Sequence, residues 1–360
     1  MRPYLIILCI IILVLIILVN NKKKSNKFKF YKCGKYVLGK IIKTVLQNYN
    51  IERTENIDDK WSIFIPCTYN NVEDELNKVR KKKNKLLFGI KGCDLIVSKN
   101  NLWKLLEDKY TRPIAKTLMP ETWILSNKTH MELFNNEFSK KHMYIMKKNI
   151  QRKEGLKLTN KLSEIVDNTD KKFKVVQKYM KDTYTINKRK INLRIYLLIH
   201  CKDNKLTSYY YKNGKCIYTN KDYNNSFDLE ENITSLNLDV DIYKKNPFDL
   251  FELAEYMGIH KYTILLQNIQ NNLQKLHSTY NVMLKKLNKN ANKNTYFQLF
   301  GLDYIFDNDL NVYLLELNKG PDMSSKTDKD YILKYRIYED LFNLLGILET
   351  TISKNMFIKI

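Results

Sequence analysis

The sequence is short of the residues that staple, bend or break a chain. Among 360 residues there are only 6 cysteines, 6 prolines and 10 glycines. Cys9 lies in an apolar N-terminal run, and Cys33, Cys67, Cys93, Cys201 and Cys216 are scattered with no CxxC pair. That spacing argues against a zinc site or a disulfide framework and fits a reducing compartment. Histidine is as sparse. His130, His142, His200, His260 and His277 show no HExxH or comparable spacing, so each reads as a surface or satisfied core residue. There is no internal repeat and no groove-reading nucleic-acid motif. Acidic residues are outnumbered, 38 against 62 lysines and arginines, for a net charge of +24 and a pI near 9.5. Such a charge attracts nucleic acid, an anionic membrane or an acidic protein tail. Yet Lys, Asn, Ile and Tyr are abundant throughout, the bias of an AT-rich genome such as that of a large virus or a protist. The charge alone therefore selects none of the three.

What the chain does have is apolar content, 44% of its residues, and a length that holds two or three lobes around more than one core. Residues 4–19 are all apolar. They make about 24 Å of helix, against about 30 Å for a bilayer core. NNKKKSNKFKF follows the run and only Arg2 and the amino terminus precede it, so the positive-inside bias places the C-terminal bulk in the cytosol. No small-x-small cleavage site follows, and residues 1–20 read as a retained transmembrane anchor, in a cellular or a viral membrane, rather than a signal peptide. Residues 21–85 read as a small α/β lobe, with helical spacing over 34–50, a strand at 61–66 and a charged helix over 72–85. Further on, 262–287 has the spacing of an amphipathic helix, and 331–348 that of a terminal helix packed back on a sheet.

The densest pattern lies in residues 296–323. Two apolar runs, 297–306 and 310–317, flank the polar turn Asp307-Asn308-Asp309, which predicts a β-hairpin. Inside it sit Asp303, Glu316 and Asn318, although a lone carboxylate is costly to bury unless it is paired or metal-bound. Strand side chains alternate, so Glu316 and Asn318 share a face. A two-residue Asn308-Asp309 loop would set Gly301 opposite Glu316 and Asp303 opposite Leu314, with all three oxygen-bearing groups on one side. Two carboxylates and an amide oxygen suit Mg²⁺, with a nucleotide's phosphates as further ligands.

The stretch FGLDYIFDNDLNVYLLELNKGP resembles the C-terminal metal hairpin of the tubulin-tyrosine ligase-like family, within the ATP-grasp superfamily, whose members read much like FGxDxxxDxxxxxxLxEVNxxP. Other segments follow in the family's order over roughly residues 86–345. DLIVSKNNLWKLLEDKY and then MPETWIL are similar to its lysine-bearing stretch before M-P-x-T-F/W, which assigns Lys99 to the nucleotide phosphates. MYIMKK resembles W-I-x-K-P, which assigns Lys147 to the α/β phosphates. The loop NIQRKEGLKLT stands where the family has a glycine-rich phosphate cover; only Gly155 remains, and Arg152 and Lys153 supply charge instead. FKVVQKYM matches the hinge strand V-x-Q-K-Y-I/L, so that Gln177 aids orientation and the backbone of Lys178, Tyr179 and Met180 reads the adenine edge. KRKINLRIYLLIH resembles R-K-F-D-L/I-R: Lys190 and Arg194 match, while Asn192 replaces the family's Asp. YYYKNGKCIY reads as strand, turn at Asn213-Gly214, strand, and resembles Y-R-x-G with Lys212 in place of arginine. Asn232-Ile233-Thr234-Ser235 is a faint counterpart of H-L-T-N and is given no role.

The resemblance implies an α+β ATP-grasp fold, two α+β lobes enclosing Mg-ATP, with residues 86–180 as the central lobe and 181–360 as the C-terminal lobe bearing the metal hairpin. It implies that ATP phosphorylates a carboxylate and that an amine then attacks the acyl phosphate to form an amide. In that scheme Asp303, Glu316 and Asn318 hold Mg²⁺, Lys99, Lys147, Lys153 and Lys190 grip phosphate, and Arg194 and Lys212 steady the acyl phosphate. Glu316 is the strongest single candidate. The implied partners are a free amino acid and an acidic protein acceptor such as a tubulin tail. Two other readings fit parts of the chain. A non-catalytic ATP-grasp-fold binder is suggested by Asn192, Lys212, Ser235 and the glycine-poor cover, and a membrane-tethered nucleic-acid binder by the charge.

Overall fold

The computed structural model describes residues 29–31, 39–66, 72–150, 155–167, 172–224, 226–234, 236–289, 293–348 and 354–360. Its organising element is the strand Thr295–Phe306, buried along its whole length. One edge of this strand pairs antiparallel with Arg189–Lys202, from Leu193 opposite Tyr304 to Cys201 opposite Tyr296. On the other edge its start pairs parallel with Leu86–Phe88 and its end antiparallel with Val312–Asn318. The sheet so formed has a parallel half, continued by Ile63–Phe64, Lys29–Tyr31 and Glu52–Thr54. Its antiparallel half continues through Lys205–Tyr211 to Phe357–Lys359 at the edge. The strands of residues 21–85 thus extend this large sheet.

Alternation along Arg189–Lys202 sorts its residues between two cores. Leu193, Ile195, Leu197 and Ile199 join the core under the helix Ile259–Leu287, while Tyr196 and Leu198 join the core under the helices Lys40–Asn48 and Asp328–Leu344. The helix Ile259–Leu287 buries Tyr262, Leu265, Ile269, Leu273, Leu276, Tyr280 and Leu284, one every three or four residues, which makes a single apolar stripe. Each such leucine contributes about 1.5–3 kcal/mol on burial.

Toward the start of Arg189–Lys202 the second of these faces turns polar, from Leu198 and Tyr196 to Arg194, Asn192 and Lys190. Here a smaller antiparallel sheet covers it, in the order Thr122–Ile124, Val175–Lys178, Tyr144–Lys147, Leu156–Thr159. Trp123, Tyr144, Met146 and Val176 form that sheet's own core with Phe134. The alternate residues Ile145, Lys147 and Gln177 line the space between the sheets.

Several local expectations are corrected. In the hairpin, Phe306 pairs with Val312, so residues 307–311 form the turn, and the register then shifts between Tyr304↔Leu314 and Asp303↔Glu316. Leu315 is therefore a bulge. Leu310 adopts φ 65°, and the Asp307 carboxylate accepts the Asn311 and Asp309 amides at 2.8 and 3.0 Å. The longer turn and the bulge together set Asp303 opposite Glu316 instead of Leu314. The hairpin expected around Asn213-Gly214 is not one: Lys205–Tyr211 and Lys215–Tyr218 both pair with Arg189–Lys202 along the same edge, as one strand with a bulge. The cause is a close backbone approach, since a Cβ on Gly214 would stand 2.4 Å from the Arg194 carbonyl oxygen. The charged helix expected over 72–85 ends at Val79, where the Asn294 amide takes over the carbonyls of Arg80 and Lys82 at 3.1 and 2.8 Å. The run 4–19 lies outside the described residues, and among those no helix is long and apolar enough to cross a membrane.

Candidate active site

The space between the two sheets is a cavity of about 420 Å³. Its wall on the large sheet is organised as rungs, because residues directly opposite in neighbouring strands share a face. One rung runs Lys215, Arg194, Asp303, Glu316 across four strands. The next places Ile217 opposite Asn192. Arg194 forks onto Asp303, with Nε 2.5 Å from Oδ1 and Nη2 2.9 Å from Oδ2. Glu316 Oε1 accepts the Asn318 amide at 3.0 Å, and its Oε2 stands 3.3 Å from Lys99 Nζ. Lys99 reaches it from the first turn of the helix Lys99–Leu118.

The electrostatics divide the two facing carboxylates. Burial, together with the neighbouring Glu316 charge, raises Asp303 to about 6 although Arg194 pulls it down. Burial pushes Glu316 up as well, but Lys99, the Asn318 bond, Lys147 and Arg194 outweigh it and hold it at about 2. The small sheet, with Lys147, and the start of Arg189–Lys202, with Lys190, supply the opposite sign. Lys147 is buried, with Nζ 2.6 Å from Gln177 Oε1, and burial lowers its amine to about 8. Gln177 is itself fixed, its Nε2 donating to Thr122 Oγ1 at 2.8 Å and Pro120 O at 3.2 Å. Lys190 is buried too, donates to the Tyr179 hydroxyl at 2.8 Å, and is lowered by burial to about 7. Among the described residues neither amine makes an ion pair with a carboxylate.

Twelve of the fourteen residues singled out from the sequence line this cavity. Lys99, Lys147, Gln177, Lys178, Tyr179, Met180, Lys190, Asn192, Arg194, Asp303, Glu316 and Asn318 all line it. Lys153 lies outside the described residues. Lys212 does not reach it: the bulge before Gly214 leaves that side chain exposed, its backbone N–H bonded to the Met356 carbonyl at 3.0 Å. Lys215 takes the position beside Arg194 and turns to Asp330, 3.1 Å away. Residues not anticipated are Asn232 and Thr234. Asn232 Oδ1 accepts the Tyr179 hydroxyl at 2.7 Å, and Thr234 Oγ1 accepts the Asn192 amide at 2.9 Å. Their only sequence signal is the faint N-I-T-S match. Asp322 and Lys326 also line the cavity, from a loop that carries no pattern of its own.

The donor set fits a hard divalent cation: Asp303, Glu316 and Asn318 offer oxygens on one wall. The Asn192 Oδ1 oxygen, buried and without a hydrogen-bond partner among the described residues, fits a ligand that brings a donor. A mixed α+β protein whose two sheets close on such a cavity fits the ATP-grasp type of fold. The chain belongs to the tubulin-tyrosine ligase family, whose model matches residues 77–355. It is 28% identical over 192 residues to a Caenorhabditis elegans protein named tubulin polyglutamylase ttll-5, covering 47% of this chain and 26% of that one. A second C. elegans protein, tubulin polyglutamylase ttll-4, is 23% identical over 273 residues, 71% of this chain and 45% of the relative. Tubulin glycylase 3F of Tetrahymena thermophila is 28% identical over 212 residues, 53% of this chain and 23% of the relative. The chain thus spans less than half the length of these relatives.

Proposed function

We propose that this chain is an ATP-dependent ligase that joins an amino acid to a carboxylate of a protein acceptor. The observation that carries the proposal is the pairing inside one cavity of a carboxylate and amide cluster on the large sheet with two buried amines that lack counter-ions among the described residues, Lys147 on the facing small sheet and Lys190 at the start of Arg189–Lys202. Bound ATP would supply the phosphoryl group that converts a carboxylate into an acyl phosphate, and Mg²⁺ the charge that offsets the transferring phosphoryl. Asp303, Glu316 and Asn318 are the residues to hold the cation. Lys99 and Lys147 hold phosphate oxygens, Gln177 keeps Lys147 aimed, and Lys190 adds a third buried cation. Lys178, Tyr179 and Met180 line the cavity, which supports their backbone as the reader of the base edge. With Mg²⁺ held by Asp303, Arg194 would be freed in part from that carboxylate and would steady the acyl phosphate. The two sheets exclude water from a reactive intermediate.

The relatives' names point to tubulin as acceptor, and a net charge of +24 suits its acidic tails. The apolar run 4–19 is proposed to hold the catalytic part on the cytosolic side of a cellular or viral membrane. The test incubates the full chain with Mg-ATP, tubulin and labelled glutamate, glycine or tyrosine, and locates any added residue by mass spectrometry. Incorporation that needs ATP is expected. Tight ATP binding with no incorporation into tubulin or a host-cell extract would sink the ligase reading and favour a non-catalytic binder.

A further inference from the structure

Lys99 and Lys147 stand on different bodies, one on a helix packed against the large sheet and one on a strand of the small sheet. Something must fix their separation. The helix Lys99–Leu118 is interrupted at Thr111, whose φ 66° and ψ 160° leave helical geometry, with Pro113 just beyond. That region of φ/ψ is nearly restricted to glycine and costs another residue about 1–3 kcal/mol. A backbone held there needs strong fixation from its surroundings.

The next residue, Arg112, is held from several sides. Its guanidinium lies 5.4 Å from the ring centroid of Trp103 and 5.0 Å from that of Trp123. Trp103 belongs to the core of the large sheet and Trp123 to the core of the small one. Arg112 Nη1 donates to Glu107 at 3.0 Å, and Nε stands 3.4 Å from Glu121. Glu107 also meets His130 Nε2 at 3.1 Å, while His130 Nδ1 accepts the Ile124 N–H at 3.1 Å, so the ring carries its hydrogen on Nε2. From Glu121 the contacts run into the site. The Glu121 carbonyl accepts the Lys178 N–H at 2.8 Å, and the next residue, Thr122, anchors Gln177, which holds Lys147.

We infer that Arg112 is a positioning residue that sets the Lys99-to-Lys147 spacing, and with it the preference of the cavity for a polyphosphate over a monophosphate. The inference rests on the nucleotide reading of the cavity. It is tested on the full chain by calorimetric titration with AMP and with a non-hydrolysable ATP analogue, each with Mg²⁺. Arg112→Lys keeps the charge but loses the planar guanidinium over the two tryptophan rings and the Nη1 bond to Glu107. It should bind AMP within about twofold of the parent and the ATP analogue about tenfold more weakly, since a misplaced grip is felt only by the phosphates it should reach. Equal weakening of both ligands, or no change in either, overturns the inference and leaves a plain structural role. Should the lysine variant fail to fold by circular dichroism, Glu121→Gln gives the same readout by removing Arg112's partner on the small sheet. If the parent protein binds neither ligand, the nucleotide reading itself fails and takes this inference with it.

Discussion

Two regions of the cavity solve the burial of charge in opposite ways. Beside the hairpin each cation has its carboxylate, Arg194 with Asp303 and Lys99, from its helix, with Glu316. Away from the hairpin the hydrogen-bond partners are neutral: Lys147 on the small sheet has the Gln177 amide, and Lys190, at the start of Arg189–Lys202 on the large sheet, the Tyr179 hydroxyl. A buried ammonium with a neutral partner is costly, and the lowered basicity of both lysines reports that cost. The first region is balanced and must exchange counter-ions to accept a cation; the second is incomplete until an anion arrives. A ligand carrying both, such as the cation-bound polyphosphate proposed above, would satisfy the two together.

The sharpest way to break this comparison is in the balanced region. Glu316→Gln should lower turnover by about 10³-fold or more, several kcal/mol of lost charge stabilisation, while circular dichroism stays native. An unchanged rate would remove Glu316 from the chemistry. Among the amines without counter-ions, Lys147→Met with Lys190→Met should weaken binding of an ATP analogue by about 100-fold through loss of two charge-assisted contacts. The same pair predicts a pH dependence. Both lysines have folded pKa values below the ordinary 10.5, about 8 and about 7, so between pH 7 and 10.5 the unfolded chain holds more protons and stability rises with pH. In urea melts without ligand, the parent should gain on the order of 6 kcal/mol on the double variant between pH 7 and 10; a constant difference would mean the amines are not strained.

Gly301→Ala probes the contact beneath the balanced region. A Cβ there would stand 2.8 Å from Pro321 Cβ and 3.0 Å from Arg194 Cδ, so the variant should lose about 1–3 kcal/mol in denaturant melts, with reduced turnover as Arg194 is displaced. The smallest effect is expected at Lys212, exposed and away from the cavity. Lys212→Ala should change kcat/KM by less than about twofold, and a large loss would restore the role that its place in the sequence suggests.

Much of the site is legible in the sequence because a strand repeats every two residues. Lys190, Asn192 and Arg194 share parity, as do Glu316 and Asn318, so their common faces follow from spacing alone. Register does not. The tip depends on the positive φ at Leu310 and the grip of Asp307 on its neighbours, and the bulge at Leu315 restores the face that the longer turn would have lost. Without it Asp303 would meet Leu315, and Glu316 would turn to the opposite side. Lys212 was misplaced for a related reason: the Gly214 approach to the Arg194 carbonyl is a contact between segments, visible only once they are paired. The break at Thr111 was equally hidden, since Pro113 signals a kink but nothing local names the contacts that Arg112 makes beside it.

The place of Thr295–Phe306 at the centre of the sheet has a consequence for how the protein is made. Leu86–Phe88 waits for a partner that lies about two hundred residues downstream, so at about 5–20 residues per second the ribosome leaves it unpaired for roughly 10–40 s. Throughout that interval Ile63–Phe64 and Leu86–Phe88 form an unfinished apolar edge, which makes the yield of soluble chain a matter of translation speed and chaperone supply as much as of final stability.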